Sequence, residues 1–361
     1  MARVETIGIR AHGVTLNVAC DSRELLDSLA ELVPGLTGPP CAAPDLSVRA
    51  RWLSGPMERG RSWFRGATDL GAIGKRMHVA PDDLIWFETY RDPDLQLRFR
   101  RCEGRPAFDV AYCYQPKKKK LDAYPDFKQK KFFDLLRYLV HFPIAWHLER
   151  TRGWSMIHAS AVAWGDRAVL VAGPGGAGKT TTCLGLAARA GMTLLTENLL
   201  FCDGAWIHPI EEPIRLTGES LALLGEDFAC LEPIGITSGL KHKSMFHLPR
   251  GASPPARAAA LFLPQFAERG FARRVEPEVA CERIAAANRL TLELSDYAWY
   301  ASALDLLWPQ AGRSRTEGDV LRRLTASTPC WELGIERKSG VGPVVDRILS
   351  CLDGEMKEED S

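Results

Sequence analysis

Eight consecutive residues, Gly173-Pro174-Gly175-Gly176-Ala177-Gly178-Lys179-Thr180, carry the spacing G-x-x-x-x-G-K-[ST], and Thr181 follows them. Glycines in such a run let several backbone N–H groups turn toward one set of phosphate oxygens. A helix that starts directly afterwards adds the partial positive charge of its N-terminus. Lys179 can then reach the β- and γ-phosphates of a nucleotide, and the Thr180 hydroxyl can ligate Mg²⁺. The chemistry expected here is binding of ATP with Mg²⁺ by Gly173, Gly175, Gly176, Ala177, Gly178, Lys179, Thr180 and Thr181. The flanking residues suit this reading. Ala168 to Ala172 is apolar at every position, as in a parallel strand covered on both faces. Lys179 to Ala190 reads as a helix with Cys183, Leu184 and Leu186 on its apolar side, and Gly191 as its stop.

Two more residues are candidates for the same chemistry. His158 to Trp164 has strand character, Gly165-Asp166 is a two-residue hairpin signal, and Arg167 begins the strand that feeds the glycine loop. Pairing Trp164 with Arg167 sets His158 opposite Gly173. Downstream, Met192 to Leu195 reads as a strand that ends in Thr196-Glu197-Asn198. Residues at the carboxyl end of a strand beside the loop strand face the crevice where ligands bind. Glu197 could there hold Mg²⁺ or take the proton of an attacking hydroxyl. His158 and Glu197 are expected within direct or single-water reach, with the carboxylate helping the histidine keep its proton. A structural histidine and a solvated glutamate stay open as plain alternatives.

The elements that must position these residues change character near residue 150. Residues 1–145 offer short alternating strands (Val4 to Ile9, Val14 to Ala19, Leu46 to Trp52, Leu84 to Thr89, Leu95 to Arg100, Phe108 to Tyr114) and a helix from Ser22 to Leu32, an α+β domain without a chemical motif. Phe127 to Arg150 reads as a long helical stretch kinked at Pro143. Residues 146–361 run as α/β, with later strands near Ile214, Ala260 to Leu263 and Cys330 to Leu333. Helices are expected near Glu278 to Ala287, Tyr297 to Leu307, Gly318 to Leu324 and Val341 to Leu352.

Composition narrows the function classes. With 361 residues, 46% hydrophobic and 25% charged, the chain has ordinary globular values, and a net charge of +1 gives no argument for nucleic acid or membrane. Ten scattered cysteines without a C-x-x-C pair fit reduced thiols. No run of 18 apolar residues occurs, and the start of the chain lacks a signal-peptide core, so a cytoplasmic protein is expected. Self-association is left open.

The stretch from His158 to Phe201 resembles the catalytic core of the HPr kinase/phosphorylase family and its kinase-like relatives. A histidine precedes the phosphate loop there by the spacing of His158 from Gly173, and an acidic pair stands where this chain has Thr196-Glu197-Asn198. Leu261 to Pro264 and Cys330 to Leu333 are similar to later strands of the relatives; residues 1–145 have no counterpart. The resemblance implies a P-loop kinase domain that moves the γ-phosphate of ATP to a serine hydroxyl on a small protein or peptide. Glu197 is implied as catalytic acid/base and metal ligand, and His158 as its support. Thr196 replaces one acid of the pair, and no glycine-rich signature follows Glu212, so a dedicated kinase is implied rather than a bifunctional enzyme. A nucleotide-binding scaffold and a small-molecule kinase remain as alternatives. Lys241, His242, Lys243 and Arg250 fall in an apparent loop and could meet substrate or only solvent. Lys117 to Lys120, with Lys128, Lys130 and Lys131, form the densest basic run, a hydrated surface or a site for an acidic partner.

Overall fold

Apolar side chains at alternate positions build the first half of the chain. Val14, Leu16, Val18 and Cys20 are buried along one strand while Thr15, Asn17 and Ala19 are half-buried, the period-two pattern of a sheet with one face on a core. The computed structural model describes residues 3–55, 62–64, 70–102, 104–225, 231–238, 243–248, 253–309, 317–337 and 339–359. The chain divides into two compact units, residues 1–147 with 296–313 and residues 148–295 with 314–361.

The first unit holds a mixed sheet of nine strands: β1 (Glu5–Ala11), β2 (Val14–Cys20), β3 (Thr37–Gly38), β4 (Leu46–Ser54), β5 (Gly71–Ala72), β6 (Met77–Ala80), β7 (Asp83–Trp86), β8 (Leu95–Cys102) and β9 (Arg105–Tyr114). Their order is β3-β1-β2-β4-β9-β8-β7-β6-β5, parallel at β2/β4 and β4/β9 and antiparallel elsewhere. Helix α1 (Arg23–Leu32) starts at Ser22, whose hydroxyl accepts from Leu25 N, and it buries Leu25, Leu26, Leu29 and Leu32. Helices α2 (Lys118–Ala123), α3 (Phe127–Leu136) and α4 (Phe142–Arg152) follow. Pro143 has no N–H to give to Leu139 O and its ring crowds that carbonyl. A π turn over Arg137–His141 absorbs the mismatch, so the irregularity precedes the proline by one turn.

The second unit is a three-layer α/β arrangement. Its main sheet contains β10 (Ser155–Ile157), β11 (Ala159–Trp164), β12 (Arg167–Ala172), β13 (Thr193–Thr196), β14 (Leu200–Cys202) and β15 (Trp206–Pro209). A separate small sheet has the order β16-β18-β17, from β16 (Ile214–Leu216), β17 (Pro233–Ser238) and β18 (Lys243–Phe246). The main sheet is completed by β19 (Ala256–Phe266), β20 (Phe271–Arg274) and β21 (Cys330–Ile335), with the order β10-β14-β15-β19-β12-β11-β13 and β21 also along β19. Its helices are α5 (Lys179–Ala190), α6 (Gly218–Leu224), α7 (Pro277–Arg289), α9 (Glu317–Ser327) and α10 (Gly342–Glu359), while α8 (Leu292–Leu307) begins in this unit and runs on into the first. The unbroken apolar run of β12 now has its reason. Ala168, Leu170 and Ala172 join the core under α7 and α9, while Val169 and Val171 join the core under α5 and α10.

Two expectations need correction. The parallel neighbour of β12 is β19, and β11 lies between β12 and β13. Because β11 is antiparallel to both, β12 and β13 still end at the same edge, two strand spacings or about 9.6 Å apart. Residues 296–313, read from sequence as part of the second half, belong to the first unit. Tyr300 is fully buried there, its ring 5.1 Å from that of Phe99 and 6.2 Å from that of Phe108. Helical periodicity marks a face to be buried but not the sheet that buries it. Among the described residues no helix is long and apolar enough to cross a membrane.

Candidate functional site

The hairpin register expected from Gly165-Asp166 is the one observed. Trp164 pairs with Arg167 and Ala159 with Ala172, so the next position sets His158 opposite Gly173. The loop leaves β12 at its buried end and turns through left-handed backbone at Gly176 (φ +81°) and Gly178 (φ +90°), where a side chain would be strained. Gly178 is also the N-cap of α5. Lys179, the first residue of that helix, is buried and lies back across the loop, donating to Gly173 O at 2.9 Å and Pro174 O at 3.0 Å. Burial pushes its pKa down to about 8, with Glu197 acting in the opposite sense.

Glu197 arrives at the same edge from β13. The register shifts between Ala161 and Val162, which face Thr196 and Leu194, so one residue of β13 is extra. Such a bulge re-aims the side chains beyond it. The Ser160 hydroxyl donates to Glu197 O and anchors the turn. Thr180 Oγ1 donates to Glu197 Oε1 at 2.6 Å. Glu197 Oε2 is buried, has no hydrogen-bond donor among the described residues and lies 3.8 Å from Arg215 Nε.

Thr196 does something an acid could not do. Its buried hydroxyl lies 2.6 Å from Leu199 O and 3.1 Å from Ile210 O, as donor to backbone carbonyls. A carboxylate there would have no proton to give and would face two carbonyl oxygens. Glu212 Oε1 accepts from Leu199 N at 3.1 Å and closes the other side of the turn. The threonine therefore clasps the turn that presents Glu197.

The partner expected for Glu197 was His158; the two side chains are not hydrogen-bonded to each other. His158 N donates to Asn288 Oδ1 at 3.1 Å, and its ring Nδ1 lies 2.6 Å from Thr291 Oγ1. The Thr291 hydroxyl also lies 3.0 Å from Ala287 O, and we assign its single proton to that carbonyl and the proton of the ring contact to Nδ1. The imidazole is then the Nδ1–H tautomer, with a lone pair on Nε2. The expectation that it keeps a second proton also fails. Burial, helped by the charge of Lys179, pushes its pKa down to about 3.

Sequence reading missed Arg215, Glu293 and Thr291. Arg215 Nη1 donates to Glu293 Oε1 at 3.3 Å. Burial works against its charge, but Glu197, Glu212 and Glu293 outweigh that and hold its pKa above the ordinary value. A signal existed: an arginine between Ile214 and Leu216, just after Glu211-Glu212, is a charge inside a strand pattern and needs buried carboxylates. Thr291 lies between α7 and α8 and Glu293 in the first turn of α8, far along the chain from Glu197, where no local pattern flags either. Lys243 is on β18 rather than in a loop, and its charge is felt at Lys179 and His158. Lys241, His242 and Arg250 lie outside the described residues.

The Thr180 hydroxyl and the Glu197 carboxylate form an all-oxygen donor pair of the kind Mg²⁺ takes, and one buried carboxylate oxygen lacks a donor among the described residues. The residues present fit that ion in the company of phosphate oxygens. Among the described residues no group of three or more His, Cys, Asp or Glu could hold a metal by itself. Compared with known families and curated proteins, the chain matches no family model and no curated sequence.

Proposed function

We propose that the unit of residues 148–295 and 314–361 is an ATP- and Mg²⁺-dependent phosphotransferase of the HPr kinase-like type. Its acceptor is a hydroxyl, serine in the first instance, on a small protein or peptide. The observation that carries this reading is the 2.6 Å contact of Thr180 Oγ1 with Glu197 Oε1 beside the glycine loop. A loop hydroxyl beside a carboxylate is the donor set with which P-loop phosphotransferases hold Mg²⁺.

Each side chain then has a task. Lys179, released from Gly173 O and Pro174 O, moves its ammonium to the phosphate oxygens. Thr180 and Glu197 would hold Mg²⁺, which when bound would supply positive charge to the transferred phosphoryl group. Glu197 also orients the acceptor hydroxyl and takes its proton. Arg215 and Glu293 balance buried charge behind it. His158, neutral and bound through Nδ1, has only an acceptor to offer from Nε2, so it orients a hydroxyl or water and supplies no proton.

The test is incubation of the chain with γ-labelled ATP and small proteins, followed by mass spectrometry for phosphoserine. Glu197→Gln should keep ATP binding and lower transfer about 10²–10⁴-fold. A second reading, a nucleotide-binding scaffold, is favoured by one observation: Thr196 is committed to backbone carbonyls, which leaves a single carboxylate at Thr180. Tight Mg·ATP binding with neither transfer nor hydrolysis would decide for it.

A further inference from the structure

The lysine run borders a cavity distant in sequence from the glycine loop. A cavity of about 590 Å³ opens in the first unit, among the turn between β7 and β8, the end of β9, and helices α2 and α3. That volume is within the roughly 300–1,000 Å³ of small-molecule sites. Its walls are aromatic: Tyr90, Tyr112 and Phe127 line it. Lys117, Lys120 and Lys131 line it too, so the run Lys117 to Lys120 turns its first and fourth members to the cavity, while Lys118 and Lys119 are not part of the lining.

The charges do not cancel evenly. Of the two acids in the lining, Asp92 is paired with Lys131 at 3.4 Å and accepts from Asp94 N at 3.0 Å. Asp94 accepts from Gln115 Nε2 at 2.6 Å. Lys117 and Lys120 have no carboxylate partner among the described residues. Lys120 Nζ lies 5.3 Å from the Phe127 ring centroid, and Lys131 Nζ lies 5.3 Å from that of Tyr112. Cations thus lie within cation–π reach of two rings that line the cavity.

One wall is also held at a cost. Glu88 and Tyr90 both have left-handed backbone, with φ of +46° and +55°, which residues with side chains rarely adopt. The Tyr90 hydroxyl donates to Asp296 O at 2.7 Å, fixing the ring. Strain of this kind is kept where the surroundings over-determine it, typically at ligand sites.

We propose that this cavity binds a small organic anion with a flat apolar body, the ring lying against Tyr112 and Phe127 and the anionic group against Lys117 and Lys120. The probes are 1-naphthoate and its uncharged analogue 1-naphthalenemethanol, titrated calorimetrically into the full chain at about 0.15 M salt, where long-range attraction is screened. Naphthoate should bind, and the alcohol should bind at least tenfold more weakly. Lys117→Glu/Lys120→Glu should lower naphthoate affinity at least tenfold. Lys118→Glu/Lys119→Glu makes the same change of charge on exposed neighbours and should lower it less than twofold. Circular dichroism and the midpoint of urea unfolding, unchanged in both double variants, establish that each is folded. Absence of naphthoate binding, equal binding of the alcohol, or equal loss in the two double variants overturns the proposal.

Discussion

The glycine loop and the lysine-aromatic cavity both present positive charge to a space that could hold an anion, and they do so by different means. At the loop, charge comes from backbone turns and one buried ammonium within eight successive residues, backed by Glu197 and Arg215. At the cavity, charge comes from exposed Lys117 and Lys120 and half-buried Lys131, which line it together with the rings of Tyr112 and Phe127. Buried charge in the first case is worth much per group and tolerates little change. Exposed charge in the second is weak per group and additive in number. Removing one residue should cripple the loop; the cavity should need two.

The sharpest separation comes from Lys179→Ala. Losing charge-assisted bonds to two phosphates should weaken ATP binding on the order of 10²-fold, while naphthoate binding stays as in the parent. Titration of both ligands into one protein measures the contrast, and an unaltered ATP affinity would remove the loop from the comparison.

Thr196→Asp probes how little the buried site tolerates. It supplies the acid of the resembling family but sets it against Leu199 O and Ile210 O. We expect a loss of roughly 1–3 kcal/mol in urea unfolding, with no gain in transfer. Restored transfer at full stability would contradict the role assigned to Thr196.

A tenfold effect should follow from pH alone. Lys179 in the free protein has a pKa lowered to about 8, and phosphate oxygens beside it would raise that value in the complex. Binding above pH 8 therefore takes up a proton, so ATP affinity should be level below pH 8 and fall above it, by at most about tenfold per pH unit. Naphthoate binding, which does not use Lys179, should lack this break near pH 8.

The smallest effect tests the tautomer. Thr291→Val removes the acceptor of the His158 Nδ1 proton; nitrogen NMR should show that proton shift toward Nε2, and transfer should drop several-fold at unchanged ATP affinity. Thr291→Ser should restore both. An Nε2–H ring in the parent protein would refute the assignment.

How much of this was legible in the sequence depends on chain distance. Strand, loop and helix around Lys179 were legible, as was the register that sets His158 opposite Gly173, because a two-residue turn leaves the pairing little freedom. The apolar run of β12 likewise announced a strand covered on both faces. Glu197 was rightly placed at the mouth of the loop, though for an incomplete reason, since β11 intervenes and a bulge supplies the aim. What only the tertiary structure decided are the partners. Thr291 rather than Glu197 holds His158, Arg215 and Glu293 stand behind Glu197, and residues 296–313 pack with the first unit. The physical reason is the same in each case. Local pattern dictates which face of an element must be buried or bonded, whereas the group that meets it comes from a segment dozens of residues away, selected by packing of the whole sheet and its helices.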